Sequence, residues 1–409
     1  RGAAAAPLLL PASSAARSYH HEAGCPGCAQ DRRKESSGGR IPYKELFFVG
    51  LTTLASSLPI TCLFPFMYFM VRDFHVAKTE EDIGSYAGFL ASSYMIGRAF
   101  SAIFWGIVAD RIGRKPVIVF SILSVVIFNT LFGLSTEYWM AIATRLVLGS
   151  LNGLLAPIKV NTAWGFGLVI GPALGGYLAQ PAEKYPQTFS KESVFGRFPY
   201  FLPCVAVSLL AAIVLISCIW MPETIHKHKS PEKDIEKVKA LPSEQAYLDS
   251  PRKKSLLQNW PWMSTMVSYC FFGLHDTAYS EALSILIVST YPFMTYLSGA
   301  KLSFALYSAA MMRSVVAITA STGISLLQNH AVRQDQRGTA NGISTTAMSF
   351  FKAIAPIGAG YLFSWAQKHQ DSTFFPGDQM VFLVLNLVQL LGLMFTFEPF
   401  LVLPTVGEE

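Results

Sequence analysis

The chain has 409 residues, of which 52% are apolar and 14% charged, with a formal net charge of +6. A soluble protein carries about 25% charged residues, so the composition excludes a soluble multi-domain enzyme. The basic residues are spread among short links between apolar blocks, which excludes a nucleic-acid-binding footprint.

Residues 1–45 are rich in Ala, Ser, Pro and Gly and read as a disordered cytosolic tail. Long apolar blocks follow, and such blocks read as membrane spans. The expected spans are 46–71, 84–109, 116–134, 138–158, 163–181 and 200–221. They form an N-terminal six-helix bundle over 46–221. A polar cytosolic loop occupies 222–259. The remainder, 260–404, reads as an incomplete C-terminal bundle: 260–297 crosses once, followed by spans at 302–327, 339–365 and 380–404, and residues 405–409 form a short cytosolic tail. With both termini inside, the inside segments hold 21 Lys and Arg and the outside links seven. That asymmetry satisfies the positive-inside rule. Six cysteines give no disulfide framework. Cys62, Cys204, Cys218 and Cys270 fall within apolar runs, where Cys behaves as a small hydrophobe.

Residues 162–178 (TAWGFGLVIGPALGGYL) and 346–362 (TAMSFFKAIAPIGAGYL) agree at eight of 17 positions without gaps. Repeated halves are an architecture of transporters. The halves do not match elsewhere. Two internal deletions are inferred, one near 160 and a two-span segment near 283–290. About ten spans of an ancestral twelve would remain.

The link between the second and third spans reads Gly106-Ile-Val-Ala-Asp110-Arg111-Ile-Gly113-Arg114-Lys115. Asp110 can pair with a basic residue or cap a neighbouring helix. Gly106 and Gly113 allow close backbone approach. Arg111, Arg114 and Lys115 hold the link at the anionic cytoplasmic face. The fifth span carries Gly167, Gly171, Pro172, Gly175 and Gly176. Small residues permit tight helix packing in lipid, and Pro172 can bend the helix.

Charges within spans are costly and usually functional. Arg98, Arg145, Asp276 and Glu281, with His275 beside them, are the candidates for substrate or proton handling; Arg313, Lys352 and Glu398 are further intramembrane charges. Arg145 lies mid-span. Cys25 and Cys28 have metal-ligand spacing, and His226 and His228 fall on the same side of the membrane. Together they offer four zinc ligands; reduced surface thiols and solvated histidines are the competing reading.

The 106–115 link resembles the signature loop of the major facilitator superfamily, and the 164–176 segment resembles the antiporter motif of drug:proton exchangers. More narrowly, the chain is similar to the plant zinc-induced facilitator family. Cys25-Pro-Gly-Cys28, Trp105–Lys115, Trp164–Gly176 and Pro222-Glu-Thr-Ile-His226-Lys-His228 carry that resemblance. It implies an all-α polytopic membrane protein of two pseudo-repeated bundles and no enzyme activity. It also implies that the fourth span, with Arg145, lines the central cavity. The implied function is proton-coupled antiport or export of a small metabolite linked to zinc homeostasis. Chelators such as nicotianamine or phytosiderophores, potassium and auxin are the implied substrate classes, and the tonoplast or plasma membrane the implied site. No organic cofactor is expected: the proton gradient supplies energy, with a regulatory zinc ion as the one metal the motifs suggest. The expected partners are the lipid bilayer, the substrate and protons. A shortened, non-transporting isoform that associates with full-length copies is the alternative.

Overall fold

The computed structural model describes residues 43–152, 161–221, 223, 260–271, 322–329, 331–332 and 337–368, with isolated positions at 29–36 and 384–394. Among the described residues the regular elements are all helical. The longer ones are α1 (Tyr43–Thr61), α2 (Phe64–Asp73), α3 (Ile83–Ile112), α4 (Arg114–Gly133), α5 (Tyr138–Leu151), α6 (Asn161–Leu178) and α7 (Phe201–Ser217). Then come α8, at 260–271, and α9 (Arg337–Lys368). Tyr43–Asp73, Arg114–Gly133 and Phe201–Trp220 are long and apolar enough to cross a membrane, while Tyr138–Leu151 and Gly165–Leu178 are apolar but shorter. At 30 residues, α3 spans about 45 Å.

The first expected span is not one straight helix. It breaks between Thr61 and Phe64, where Pro65 stands in the first turn of α2. A proline has no N–H to continue the ladder of α1. The break leaves carbonyls in the last turn of α1 without intrahelical donors.

Lipid offers helices no hydrophobic reason to associate, so close packing and buried hydrogen bonds must hold them. The α3–α5 crossing shows how. A Cβ at Gly97 would collide with the Leu146 carbonyl, and one at Gly149 with the Tyr94 carbonyl. The two backbones therefore touch directly. Tyr138 donates to the Tyr86 carbonyl at 2.9 Å and Trp105 to the Ser150 carbonyl at 2.8 Å, fastening the crossing at both ends. Between α4 and α7, Asn129 donates to the Cys204 carbonyl at 2.9 Å. Phe89, Phe100, Phe104 and Ile107 form the exposed side of α3, as a lipid-facing row would.

The described core of the second half gathers Trp262 of α8, Ala340 of α9, and Val332, which precedes α9. The expected spans at 302–327 and 380–404, and the inferred deletion near 283–290, lie largely or wholly outside the described residues.

Replacing Gly149 by Leu should cost about 1–3 kcal/mol, the usual penalty of overpacking, because the obstacle is backbone. At Gly50 nothing stands within 4 Å of a Cβ. Gly50→Ala should therefore be neutral or stabilising by about 0.5–1 kcal/mol. Melting temperatures of the purified variants check both.

Candidate functional site

Among the described residues, polar chemistry and tight geometry combine at the basic link, the seam between the halves and the mid-membrane arginines.

At the basic link, α3 ends on Gly113, whose φ is +121°. Only glycine adopts that backbone readily, and α4 begins at the next residue. A Cβ at Gly113 would lie 2.7 Å from Glu223 Oε2. Glu223 accepts from the backbone N–H groups of Arg114 (3.3 Å) and Lys115 (3.2 Å). Its carboxylate thus caps the N-terminus of α4, where free donors and the helix dipole favour an anion. Lys115 donates from Nζ to the Ile219 carbonyl at 3.1 Å, at the end of the 201–220 segment. Arg111 and Arg114 are exposed and Gly106 is buried. The backbone of Asp110 belongs to α3; its side chain lies outside the described set. Glu223 was not singled out in the sequence, although it sits in the Pro222–His228 motif. An acid just beyond a span, opposite a basic link, was the available signal.

The seam joins α3 of the first half to α9 of the second. Near the far end of α3, Gly88 packs on the Pro356 carbonyl and Gly360 on the Gly84 carbonyl, too closely for any Cβ. Ser92 donates to the Ala353 carbonyl at 2.7 Å. Ser364 donates to the Glu81 carbonyl at 2.7 Å and lies 3.0 Å from Ser85 Oγ. Lys368 closes the seam with a 2.8 Å ion pair to Asp82. At the basic-link end the contact loosens: a Cβ at Gly342 would stand 3.6 Å from the Ala102 carbonyl and 3.8 Å from Gly106 Cα.

The fifth-span glycines face α1. Cβ atoms at Gly167, Gly171 and Gly175 would collide with Ser57, Thr61 and the Cys62 carbonyl. Thr61 donates to the Gly167 carbonyl at 2.9 Å. Gly176 has more room, 3.8 Å from Pro65, and Pro172 lies inside α6. The motif is the groove that receives the end of α1.

Arg145 packs among the helices of the first bundle. It is 2% exposed. Its Nη1 donates to the Pro59 carbonyl at 2.6 Å, in the last turn of α1, and its guanidinium sits 4.1 Å over the Phe132 ring. The broken helix supplies the reason: its C-terminal carbonyls attract a cation, and the aromatic face adds to that. Nε is buried without a hydrogen-bond partner. Arg98 stands midway along α3, 5% exposed. It projects away from the lipid-facing row, within electrostatic reach of Tyr94 and of Tyr269 on α8. An arginine at mid-membrane costs about 2.5–3.5 kcal/mol on insertion scales, so both need polar surroundings.

Lys352 lies half-buried on α9. His275, Asp276, Glu281, Arg313 and Glu398 lie outside the described residues, as do Cys25, Cys28, His226 and His228. Among the described residues no group of three or more His, Cys, Asp or Glu could hold a metal ion.

Two measurements check these contacts. Glu223→Ala should lower stability by about 0.5–2 kcal/mol, the usual worth of an N-cap, and Glu223→Gln by less, read from melting temperatures. The Lys368 ammonium, first by its hydrogen bond, holds the Asp82 carboxyl below its ordinary value of 3.8. A depressed carboxyl keeps its ion pair above the ordinary value and loses it only as pH falls through the depressed one. Distances between spin labels at the far ends of α3 and α9 should therefore stay constant from pH 8 to about pH 5. They should lengthen in Lys368→Gln at every pH.

A sequence profile of the Major Facilitator Superfamily matches residues 49–161. Protein ZINC INDUCED FACILITATOR-LIKE 1 of Arabidopsis thaliana is 44% identical over 465 aligned positions, covering 94% of this chain and 97% of that protein. Protein ZINC INDUCED FACILITATOR 1 of the same plant is 43% identical over 472, covering 94% and 96%. Both alignments are longer than the 409-residue chain, so the relatives carry residues that have no counterpart here. Among solved structures, the human organic anion transporter MFSD10 (TETRAN) aligns with a TM-score of 0.56 at 15% identity, over 88% of this chain and all of that one. A bacterial homolog of the human lysosomal transporter Spinster aligns at 0.52 and 12% identity, over 87% and 97%. These two likenesses concern the fold. The chain is a transporter and not an enzyme. It belongs to the zinc-induced facilitator family of the major facilitator superfamily, as an all-α, multi-pass membrane protein.

Proposed function

We propose that the chain is a proton-coupled exporter that exchanges protons for a small, carboxylate-bearing metabolite connected with zinc homeostasis. A zinc chelator such as nicotianamine or a phytosiderophore is the substrate class in view. The observation that carries the reading is the α3–α9 seam. It is tight and latched by Asp82–Lys368 at one membrane face, and looser at the other, beside the basic link. Helices that meet through glycine and carbonyl contacts can rock about the touching points with little loss of packing. Such a rocking would open the space between the halves to each side in turn. The names of the relatives support the link to zinc.

In this reading Gly106, Gly113 and Lys115 belong to the gate on the basic-link side, and Glu223 locks α4 against the end of α7. With both termini cytosolic, that gate faces the cytosol and the Asp82–Lys368 latch faces the lumen or exterior. The proton-carrying step is assigned to His275, Asp276 and Glu281. Arg145 stabilises the broken α1 against the fifth-span glycines, so the antiporter motif supports the path by packing. Cys25, Cys28, His226 and His228 are assigned to cytosolic zinc sensing. The tonoplast or plasma membrane is the proposed location.

The decisive measurement is efflux of labelled nicotianamine from proteoliposomes of the full chain under an imposed pH gradient. Flux should require the gradient and collapse with a protonophore. Arg114→Ala and Asp110→Asn should cut it at least tenfold while reconstituting normally, since both positions lie in the basic link at the end of a span. Gradient-independent leakage of all solutes, or no flux at all, would favour the shortened non-transporting isoform.

A further inference from the structure

We infer that Arg98, Tyr94 and Asn152, completed by Tyr269 from the other half, form the subsite that receives a carboxylate group of the transported molecule. The assignment rests on the transporter reading and supplies the chemistry of its site.

Position comes first. Arg98 stands halfway along α3, and the exposed residues Phe89, Phe100 and Ile107 mark the opposite side of that helix. Tyr94 lies one turn away on the same side. The Gly97–Leu146 and Gly149–Tyr94 backbone contacts clamp α3 to α5 at this level. That clamp brings Asn152, just past the end of α5, to Tyr94: the side-chain amide of Asn152 and the Tyr94 hydroxyl are 3.0 Å apart. Tyr269, on α8, lies within electrostatic reach of Arg98. The cluster therefore straddles the two halves at mid-membrane, where the binding sites of two-half transporters lie.

Two unmet valences point to a ligand. Among the described residues, Arg98 makes no hydrogen bond and no ion pair, though 5% exposed. A buried arginine fork ordinarily meets a carboxylate or an equivalent set of acceptors. Asn152, 2% exposed, bonds Tyr94 through one side-chain atom, and its Oδ1 has no partner. The nitrogen and oxygen of a carboxamide can exchange places. Turned over, Asn152 accepts from the Tyr94 hydroxyl and presents its NH2 as a donor. The site then offers a guanidinium fork and an amide to one anion. Arg98 is the charged member of the cluster, and among the described residues no carboxylate is paired with it. The incoming molecule must bring the counter-charge. A carboxylate matches the planar fork in shape as well as sign. A polyamine or a metal cation would meet repulsion there.

The test uses a matched four-carbon series on the full purified chain: succinate, succinamide and putrescine. Succinate should raise the melting temperature saturably; succinamide and putrescine should not. Arg98→Gln should weaken half-saturation by succinate at least tenfold, Arg98→Lys less, and Asn152→Ala about threefold with Arg98 still in place. The unliganded melting temperature of each variant shows that it is folded, and Arg98→Lys with Asn152→Ala carry the test should Arg98→Gln fail that check. No stabilisation of the wild-type chain by succinate overturns the assignment, as does an equal response in Arg98→Gln or stabilisation by putrescine. Succinate flux in proteoliposomes is read separately. Binding without any flux defeats the transporter reading and leaves the subsite, whereas flux that survives Arg98→Gln defeats the subsite and leaves the transporter.

Discussion

Backbone-to-backbone contact is the constraint on which this structure depends. In lipid, apolar side chains gain nothing by leaving their surroundings for one another. Helices stay together where they come close enough for dispersion and short hydrogen bonds to act. Here they do so at glycines. Gly97 and Gly149 join α3 to α5, Gly167, Gly171 and Gly175 seat α1 against α6, and Gly84, Gly88 and Gly360 join the two halves. Each contact also brings functional groups into place. The first sets Tyr94, Arg98 and Asn152 side by side. The second receives the broken end of α1. The third makes the seam along which the halves meet.

The buried polar groups divide on whether their bonding is complete. Asn129, Thr61 and Ser92 each donate to a carbonyl on a neighbouring helix. They are architectural, since a satisfied polar group in a membrane ties two helices together. Arg145 is mostly of this kind, held by the Pro59 carbonyl and the Phe132 ring. Arg98 and Asn152 are different. Their bonding capacity is left over in a place where leaving it over is expensive, and that distinguishes a ligand site from a strut.

The two ends of α3 have opposite chemistry. At one end, a positive-φ glycine and the Glu223 carboxylate make a stiff, capped turn. At the other, Asp82 meets Lys368 across the halves. A helix fixed at one end within its own bundle and latched at the other to the opposite bundle can transmit motion between them. The link and the latch are thus parts of one lever.

How much of this was legible in the sequence varies with range. The apolar blocks placed the helices, because a lipid-facing segment must be both long and apolar whatever it packs against. The 106–115 pattern marked the tight turn, because Gly113 and its basic neighbours act locally. The internal repeat pointed to α9 as the partner of α6 in the other half. The break in α1 was not read, although Pro65 announces it, since a proline within an apolar run can bend a helix or end it. Three assignments needed the tertiary structure. Arg145 belongs inside the first bundle because the carbonyls freed by that break lie there, which no spacing within its own helix could show. Glu223 caps a helix more than one hundred residues away in sequence, and Arg98 comes within electrostatic reach of Tyr269 from the other half. Sequence alone determined what each residue can do and which helix carries it. The fold decided which valences were met and which remained open, because that depends on partners brought together only by packing.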